Sequence, residues 1–175
     1  MPPSEPSFEE MIDAAQRSAV HLEMRDQYAV SSEDDDFRRW RESGSAVDDP
    51  DSDFWREWVG LVRRTVARGV AVRRVRIVSE PVTEYVRYEH AGTPVNLGAG
   101  EQVRWLPRRR ASDLALPGND FWLFDGRVVL WHHFSGAGES VADEVSEDPA
   151  AAKLCASAFE AVWSRAVLHE DYEIQ

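Results

Sequence analysis

The residues best able to do chemistry sit in one short run, Asp120-Phe-Trp-Leu-Phe-Asp125-Gly126 followed by Val128-Val-Leu-Trp-His132-His133-Phe134. Two carboxylates bracket a first strand and two imidazoles end a second. Such groups move protons or hold metals near neutral pH, but their spacing argues against both uses. Asp120 and Asp125 are five residues apart in extended chain, so their carboxyls point to opposite faces, roughly 15 Å apart. That is too far for a general acid/base pair. His132 and His133 likewise face opposite sides of a strand and cannot chelate one metal together. Asp125 is best explained as the turn residue of an Asp-Gly hairpin, where positive φ is required. Asp120 has no such explanation, because Gly118-Asn119 already supplies the preceding turn. No G-x-S-x-G, H-E-x-x-H or Cys–His pattern accompanies the run.

A second polar run is Arg73-Arg74-Val75-Arg76-Ile77-Val78-Ser79-Glu80-Pro81, then Thr83-Glu84-Tyr85. A strand here ends in polar residues ahead of a proline and a helix, and ligands gather at strand ends in α/β sheets. Arg76 and Glu80 are expected near Tyr85, Asn96 and Glu101. With Asp120 and Trp122 they form a candidate binding surface at one edge of the sheet. An Arg–Glu pair on adjacent elements is more often a structural tie than a catalytic pair, and Tyr85 and Tyr88 could be packing residues. No catalytic residue, metal ligand or cofactor is assigned. If the surface is a site, single alanine changes in it should spare the fold, whereas Trp58→Ala and Phe159→Ala should open core cavities.

The elements that must position these residues follow from periodicity and caps. Ser7-Phe-Glu-Glu10 is a capping box before a helix at 8–16. Val20, Leu22 and Met24 alternate with His21, Glu23 and Arg25 in a strand at 18–25, which puts His21 on the outer face or rim. Glu33-Asp-Asp-Asp36 reads as a helix N-terminus rather than a cation site. Residues 43–52 read as a loop. A helix at 53–68 carries Trp55, Trp58, Val59, Val62 and Val66 on one face and ends at Gly69. A strand at 70–78, a helix at 82–91 and a glycine-rich loop at 92–100 follow. That loop lacks the Lys and Ser/Thr of a phosphate-binding loop. Then come a strand at 102–106, the 120–134 hairpin, a mobile segment at 135–148, and a helix at 149–168 with Leu154, Ala158, Phe159, Val162 and Ala166 on one face. The alternation implies an α/β fold, a single domain with a mixed sheet flanked by helices. It is expected to cover residues 8–168, with a flexible N-terminus at 1–7 and a tail at 169–175.

The chain has 175 residues, room for one domain with a real core, and its 43% hydrophobic content and seven tryptophans favour folding. Its single cysteine, Cys155, excludes an internal disulfide and is expected to be buried on a helix. No apolar run is long enough to span a bilayer and the N-terminus lacks a signal-peptide pattern, so a cytoplasmic location is expected. The net charge of −12 argues against direct nucleic-acid or acidic-membrane binding. Charge is uneven: residues 1–60 carry −10, residues 61–110 carry +7 and residues 111–175 carry −9. The central arginines are expected to pair with the acidic flanks, or else to leave a basic site for an anion or partner.

Four segments carry a family resemblance: FEEMIDAAQRSAVHLEMRDQYAV, RRVRIVSEPVTEYVRYEH, the Asn96…Gly100-Glu101 stretch, and LPGNDFWLFDGRVV. Together they resemble an actinobacterial domain-of-unknown-function family across residues 8–168. Members are commonly encoded beside helix-turn-helix repressors and small partner proteins. The resemblance implies a non-catalytic regulatory or accessory role through a protein partner, a helix-turn-helix regulator foremost, with homodimerisation open. The alternative is an enzyme or receptor for a small phosphorylated or nucleotide-like ligand. The order of elements is also similar to one lobe of a phospholipase D-like domain, whose catalytic motif is His-x-Lys-x4-Asp. Aligning its Asp with Asp125 puts Gly118 at the His position and Asp120 at the Lys position. That resemblance implies a pseudo-enzyme, sharing the fold but not the phosphodiester chemistry.

Overall fold

A computed structural model describes residues 5–45 and 48–175. Residues 1–4, within the expected N-terminal segment, and 46–47, within the expected loop at 43–52, lie outside it. Among the described residues the chain forms α1 (Phe8–Ala14), β1 (Ser18–Glu23), α2 (Asp34–Ser43), α3 (Arg56–Ala67) and β2 (Ala71–Val78). There follow α4 (Glu84–Ala99), β3 (Gln102–Pro107), β4 (Asp120–Phe124), β5 (Val128–Phe134), β6 (Ser140–Ser146), α5 (Pro149–Arg165) and β7 (Val167–Leu168). The strands make one mixed sheet in the order β6-β5-β4-β1-β2-β3-β7. β1, β2 and β3 run parallel; β4, β5, β6 and β7 join antiparallel. The expected α/β architecture with a mixed sheet flanked by helices is what forms.

Period-2 alternation divides the sheet into two buried faces. One face presents Val20, Leu22, Val75, Ile77, Leu106, Phe121, Leu123 and Val129 to α5, which buries Cys155, Phe159 and Val162 against them. Cys155 is fully buried and desolvation pushes its thiol up to about 12, so it packs as a small apolar side chain. Leu154, expected on the apolar face of α5, is 45% exposed; the buried stripe runs one residue on, through Cys155, Ala158, Phe159 and Val162. The other face is covered by α1, α3 and α4 and has an apolar half, with Ile12, Leu61, Val72, Phe124 and Leu130, and a polar half.

Three expected elements differ. The helix at 82–91 and the loop at 92–100 are one helix, α4, with Pro94 inside it and Gly100 as its left-handed cap at φ 104°. Pro94 lies on the exposed face, and Gly92 is buried where α3 approaches. The segment at 135–148 contains β6, an edge strand exposed along most of its length, which explains why it shows no buried periodicity. Residues 169–175 are packed rather than a tail: Tyr172 is buried, and the Gln175 carbonyl accepts a hydrogen bond from Val82 N–H at 3.0 Å. The helix at 53–68 and the strand at 70–78 are each slightly shorter at their starts.

Asp125 does act as the hairpin residue, at φ 54°. Its carboxylate also accepts hydrogen bonds from the backbone N–H groups of Gln16 (2.9 Å), Arg17 (2.7 Å) and Ser18 (3.0 Å), fixing the start of β1. Partial desolvation raises its carboxyl, but these N–H groups outweigh it and the pKa is lowered. The stability it contributes is therefore present above the unfolded-state pKa and is lost as pH falls through the lower folded value. Asp125→Ala is expected to cost about 1.5–3 kcal/mol, with a smaller penalty at acid pH, checked by urea unfolding at two pH values.

The charge blocks resolve as internal pairing. Arg64 holds Glu9 at 2.5 Å and Asp13 at 3.1 Å, and Arg73 holds Glu160 at 2.7 Å. Arg74 and Arg76 turn inward.

Candidate functional site

The polar half of the second face is a buried ionic network. β1 contributes His21 and Glu23, β2 contributes Arg74 and Arg76, and the register sets His21 beside Arg74 and Glu23 beside Arg76. Arg76 Nε donates to Glu23 at 2.6 Å and Arg76 Nη1 donates to Thr93 at 3.1 Å. Arg74 Nη1 donates to Glu23 at 2.8 Å, and Arg74 Nε to Glu101 at 2.6 Å. Glu101 also accepts from Asn96 Nδ2 (2.8 Å) and Trp58 Nε1 (3.3 Å), and its side chain has no exposed surface. The guanidiniums lie over aromatic rings as well, Arg74 over Trp58 (5.5 Å) and Trp122 (5.7 Å), Arg76 over Trp105 (5.0 Å). Burial by itself would raise the Glu23 carboxyl, but Arg76 and Arg74 outweigh that and hold its pKa far below the usual carboxylate range.

This arrangement decides the fate of each candidate. Arg76, Asn96 and Glu101 belong to the network. Trp122 is buried and stacks on His21 with ring centroids 4.4 Å apart. The two residues form the network's wall under α1 and α3 rather than a surface. His21 is itself 8% exposed, which corrects the expectation of an outer-face histidine; desolvation keeps its imidazole neutral by pulling its pKa well below the usual value. Asp120 is buried beside the network and ties down the loop after β1: it accepts from Met24 N–H at 2.9 Å and from the Tyr28 hydroxyl. Desolvation pushes its carboxyl up to about 6 against the Tyr28 hydrogen bond. Tyr85 is buried in the first turn of α4 and donates to Glu33 at 2.6 Å; Tyr88, about a turn further on, donates to Asp36 at 2.8 Å. Both tyrosines thus pin the start of α2 and pack in one aromatic cluster. Glu80 does not join the others. It accepts from Tyr172 at 3.0 Å, at a separate depression with Arg108 and Arg109. The group therefore lies on the covered face of central strands, not at a sheet edge.

Five residues of the network escape the sequence reading: Glu23, Arg74, Thr93, Glu89, which lies 3.6 Å from Arg76 Nη2, and Trp58 as a polar partner. A signal for the first two was present. His21-x-Glu23 and Arg74-x-Arg76 alternate on strands whose intervening residues are apolar, with opposite charges on the two strands. Such stripes read as solvent faces until both faces of the sheet are known to be covered.

Beside the network a cleft of about 360 Å³ opens between α3, α4 and the 3-10 turn Ser31–Glu33. Glu33, Phe54, Trp55, Trp58, Arg74, Arg76, Glu89 and Asn96 are among its lining residues. Burial raises the Glu33 carboxyl and pushes Glu89 up to about 8, against the pull of Arg76. His132 borders the network, its ring 5.6 Å from that of His21, and His132 and His133 pair across to β6 with Asp143 (2.8 Å) and Glu144 (3.0 Å). Among the described residues no group of three or more His, Cys, Asp or Glu is arranged to hold a metal ion, and no helix is long and apolar enough to cross a membrane.

No curated protein matches the sequence. Among solved structures the fold is similar to that of Nuc, a phospholipase D family member from Salmonella typhimurium. The identity is 13%, the match covers 91% of this chain and 86% of that one, and the TM-score is 0.53. This likeness concerns the fold alone. A further match is TrmBL2, an archaeal chromatin protein described as showing a novel mode of DNA binding, at 14% identity and a TM-score of 0.49. It covers 91% of this chain and 49% of that one, so this chain spans about half of TrmBL2. At the level of sequence, residues 6–174 match the model of the family described as Domain of unknown function (DUF6879), and the chain belongs to that family.

Proposed function

We propose that this protein is a non-catalytic regulatory binding module that acts through a protein partner, a helix-turn-helix transcriptional regulator being the partner class. The observation that carries the reading is that the arginines and most carboxylates of the network are spent on one another. Short hydrogen bonds run in a chain from Arg76 through Glu23 and Arg74 to Glu101 and Asn96, and Asp120 is tied to Tyr28 and Met24. No nucleophile is poised against a base there. With the Asp of the phospholipase D-like motif laid on Asp125, Gly118 and Asp120 fall where that motif has His and Lys. The docking surface is the open edge of the sheet. β6 and its flanks expose Glu139, Asp143, Glu144, Glu147 and Asp148, an acidic strip suited to a basic protein.

Two measurements test this. The purified protein is expected to show no turnover of generic phosphodiesters with or without divalent metal. A pull-down from the native cell is expected to retain a helix-turn-helix regulator, and to lose it when Asp143, Glu144, Glu147 and Asp148 are changed to Asn or Gln. Turnover that disappears with Asp120→Asn, or a pull-down without such a regulator, sinks the reading. The cleft supports a second role as a small-ligand receptor. A phosphorylated or nucleotide-like anion suits it poorly, because its arginines are already neutralised by carboxylates.

A further inference from the structure

The cleft between α3 and α4 is within the size range of small-molecule sites. Its side wall is aromatic: Phe54, Trp55 and Trp58 line it. Gly92 faces Trp55 so closely that an added Cβ would lie 3.2 Å from the indole ring, so glycine there seats the ring that walls the cleft. The floor is ionic but unbalanced. Both arginines are held by Glu23 and Glu101 at 2.6–2.8 Å. Glu89 is different. Its side chain is nine-tenths buried, it lines the cleft, and its carboxylate accepts no hydrogen bond among the described residues. Among the described residues the one cation paired with it is Arg76, whose Nη2 lies 3.6 Å away. Glu33 lines the same cleft, and among the described residues its carboxylate accepts a single hydrogen bond, from Tyr85. Four carboxylates, Glu23, Glu33, Glu89 and Glu101, thus face two guanidiniums. A buried carboxylate without donors is costly unless a cation or proton meets it, and aromatic faces attract cations.

We infer that this cleft binds an organic cation, whose ammonium, amidinium or guanidinium head sits on Glu89 and Glu33 and whose flat apolar body lies against Phe54, Trp55 and Trp58. The inference rests on the binding-module reading but not on the identity of any protein partner. An anion would have to displace Glu23 or Glu101 from the arginines. A bare metal ion would find two carboxylates and a wall of carbon. Proton linkage supplies an independent signature. The groups facing Glu89 are Arg74 and Arg76 from β2, Glu23 from β1, Glu33 from the turn before α2, and the hydroxyls of Tyr28, Tyr85 and Tyr88. Burial keeps Glu89 largely protonated at pH 7, so seating a cation there releases a proton. The release fades as pH rises through the raised pKa.

The experiment is calorimetry on the full chain with an isosteric indole series: tryptamine (cation), tryptophol (neutral) and indole-3-acetate (anion), with benzamidine and agmatine as further cations. Tryptamine or benzamidine is expected to bind saturably, at least about tenfold more tightly than tryptophol, with indole-3-acetate silent. Glu89→Gln should remove that preference while circular dichroism stays native. Titrations of the unmodified protein in phosphate and in Tris should show proton release at pH 7 that declines by pH 9, a readout needing no variant. Equal binding of the three indoles, tighter binding of the anion, cation binding without proton release, or no binding by any of the three cations at millimolar concentration would overturn the inference. The partner pull-down is unaffected by any of these outcomes, and its failure leaves the calorimetry intact.

Discussion

Arg76→Met is expected to lower stability by about 3–5 kcal/mol, read as a lower urea midpoint at unchanged slope. Arg76 is 7% exposed and makes the shortest contact to Glu23 while facing Glu89 and Thr93. Removing it leaves Glu23 with Arg74 alone in a dry environment. The cost arises from the orphaned partner rather than from the lost attraction. A companion change, Glu23→Gln in the Arg76→Met background, should therefore recover part of the loss, although it deletes a second charge. A cost below about 1 kcal/mol, or a double variant worse by the sum of both singles, would contradict the account. The same logic applies to Glu101→Ala, which strands Arg74 Nε, Asn96 Nδ2 and Trp58 Nε1. Alanine changes at Arg76 and Glu101 are thus expected to unsettle the fold, the reverse of the expectation from sequence.

Phe159→Ala is expected to cost about 3–5 kcal/mol as well, by a different route. It is 1% exposed, its ring stacks on Trp163 at 5.5 Å, and the Arg73 guanidinium lies against both rings, 4.9 Å from the Phe159 centroid. Truncation leaves a cavity between α5 and the sheet that the strands cannot collapse into, since Phe121, Val75 and Leu123 are fixed by the ladder. For a chain of this length the melting temperature should drop by about 2–4 °C per kcal/mol. A loss under about 1 kcal/mol would mean that α5 slides to fill the space. Trp58, expected to behave alike, is only partly buried and walls the cleft. Trp58→Ala should therefore fall short of the Phe159 loss in stability while abolishing whatever the cleft holds.

Much of the fold could be read in advance because caps and apolar periods speak locally. Ser7 does form a capping box with Glu10, Gly69 does stand at φ 86°, and Asp125-Gly126 does turn the hairpin. What sequence hid depends on the second coat of helices. α4 runs through Gly92, Pro94 and Gly98 because tertiary packing against α3 and β3 outweighs their weak helical preference. β6 has neither face buried and so no pattern to find. The charged network was half visible: Arg76, Asn96, Glu101 and Asp120 were singled out, yet their partners Glu23, Arg74 and Glu89 were not. Charge on alternate strand positions looks the same whether it meets water or a matching charge, and the choice is made by which helix lies above it.

The buried ions also act as a key for strand pairing. In β2 the sequence reads Arg73-Arg74-Val75-Arg76, so sliding that strand by one residue would exchange Arg74 and Arg76 with Val75 and Ile77. Slid one way, Arg74 and Arg76 would enter the apolar face in the places of Val75 and Ile77; slid the other, Arg76 would take the place of Val75 while Val75 and Ile77 faced Glu23 and Glu101. A purely apolar second face would tolerate such slippage with modest loss, whereas here either misalignment puts at least one guanidinium among apolar side chains and unbalances the carboxylates. The network thus selects one alignment of β1 against β2 from among near-equivalents, a discrimination by penalty in which its modest net contribution to stability is beside the point.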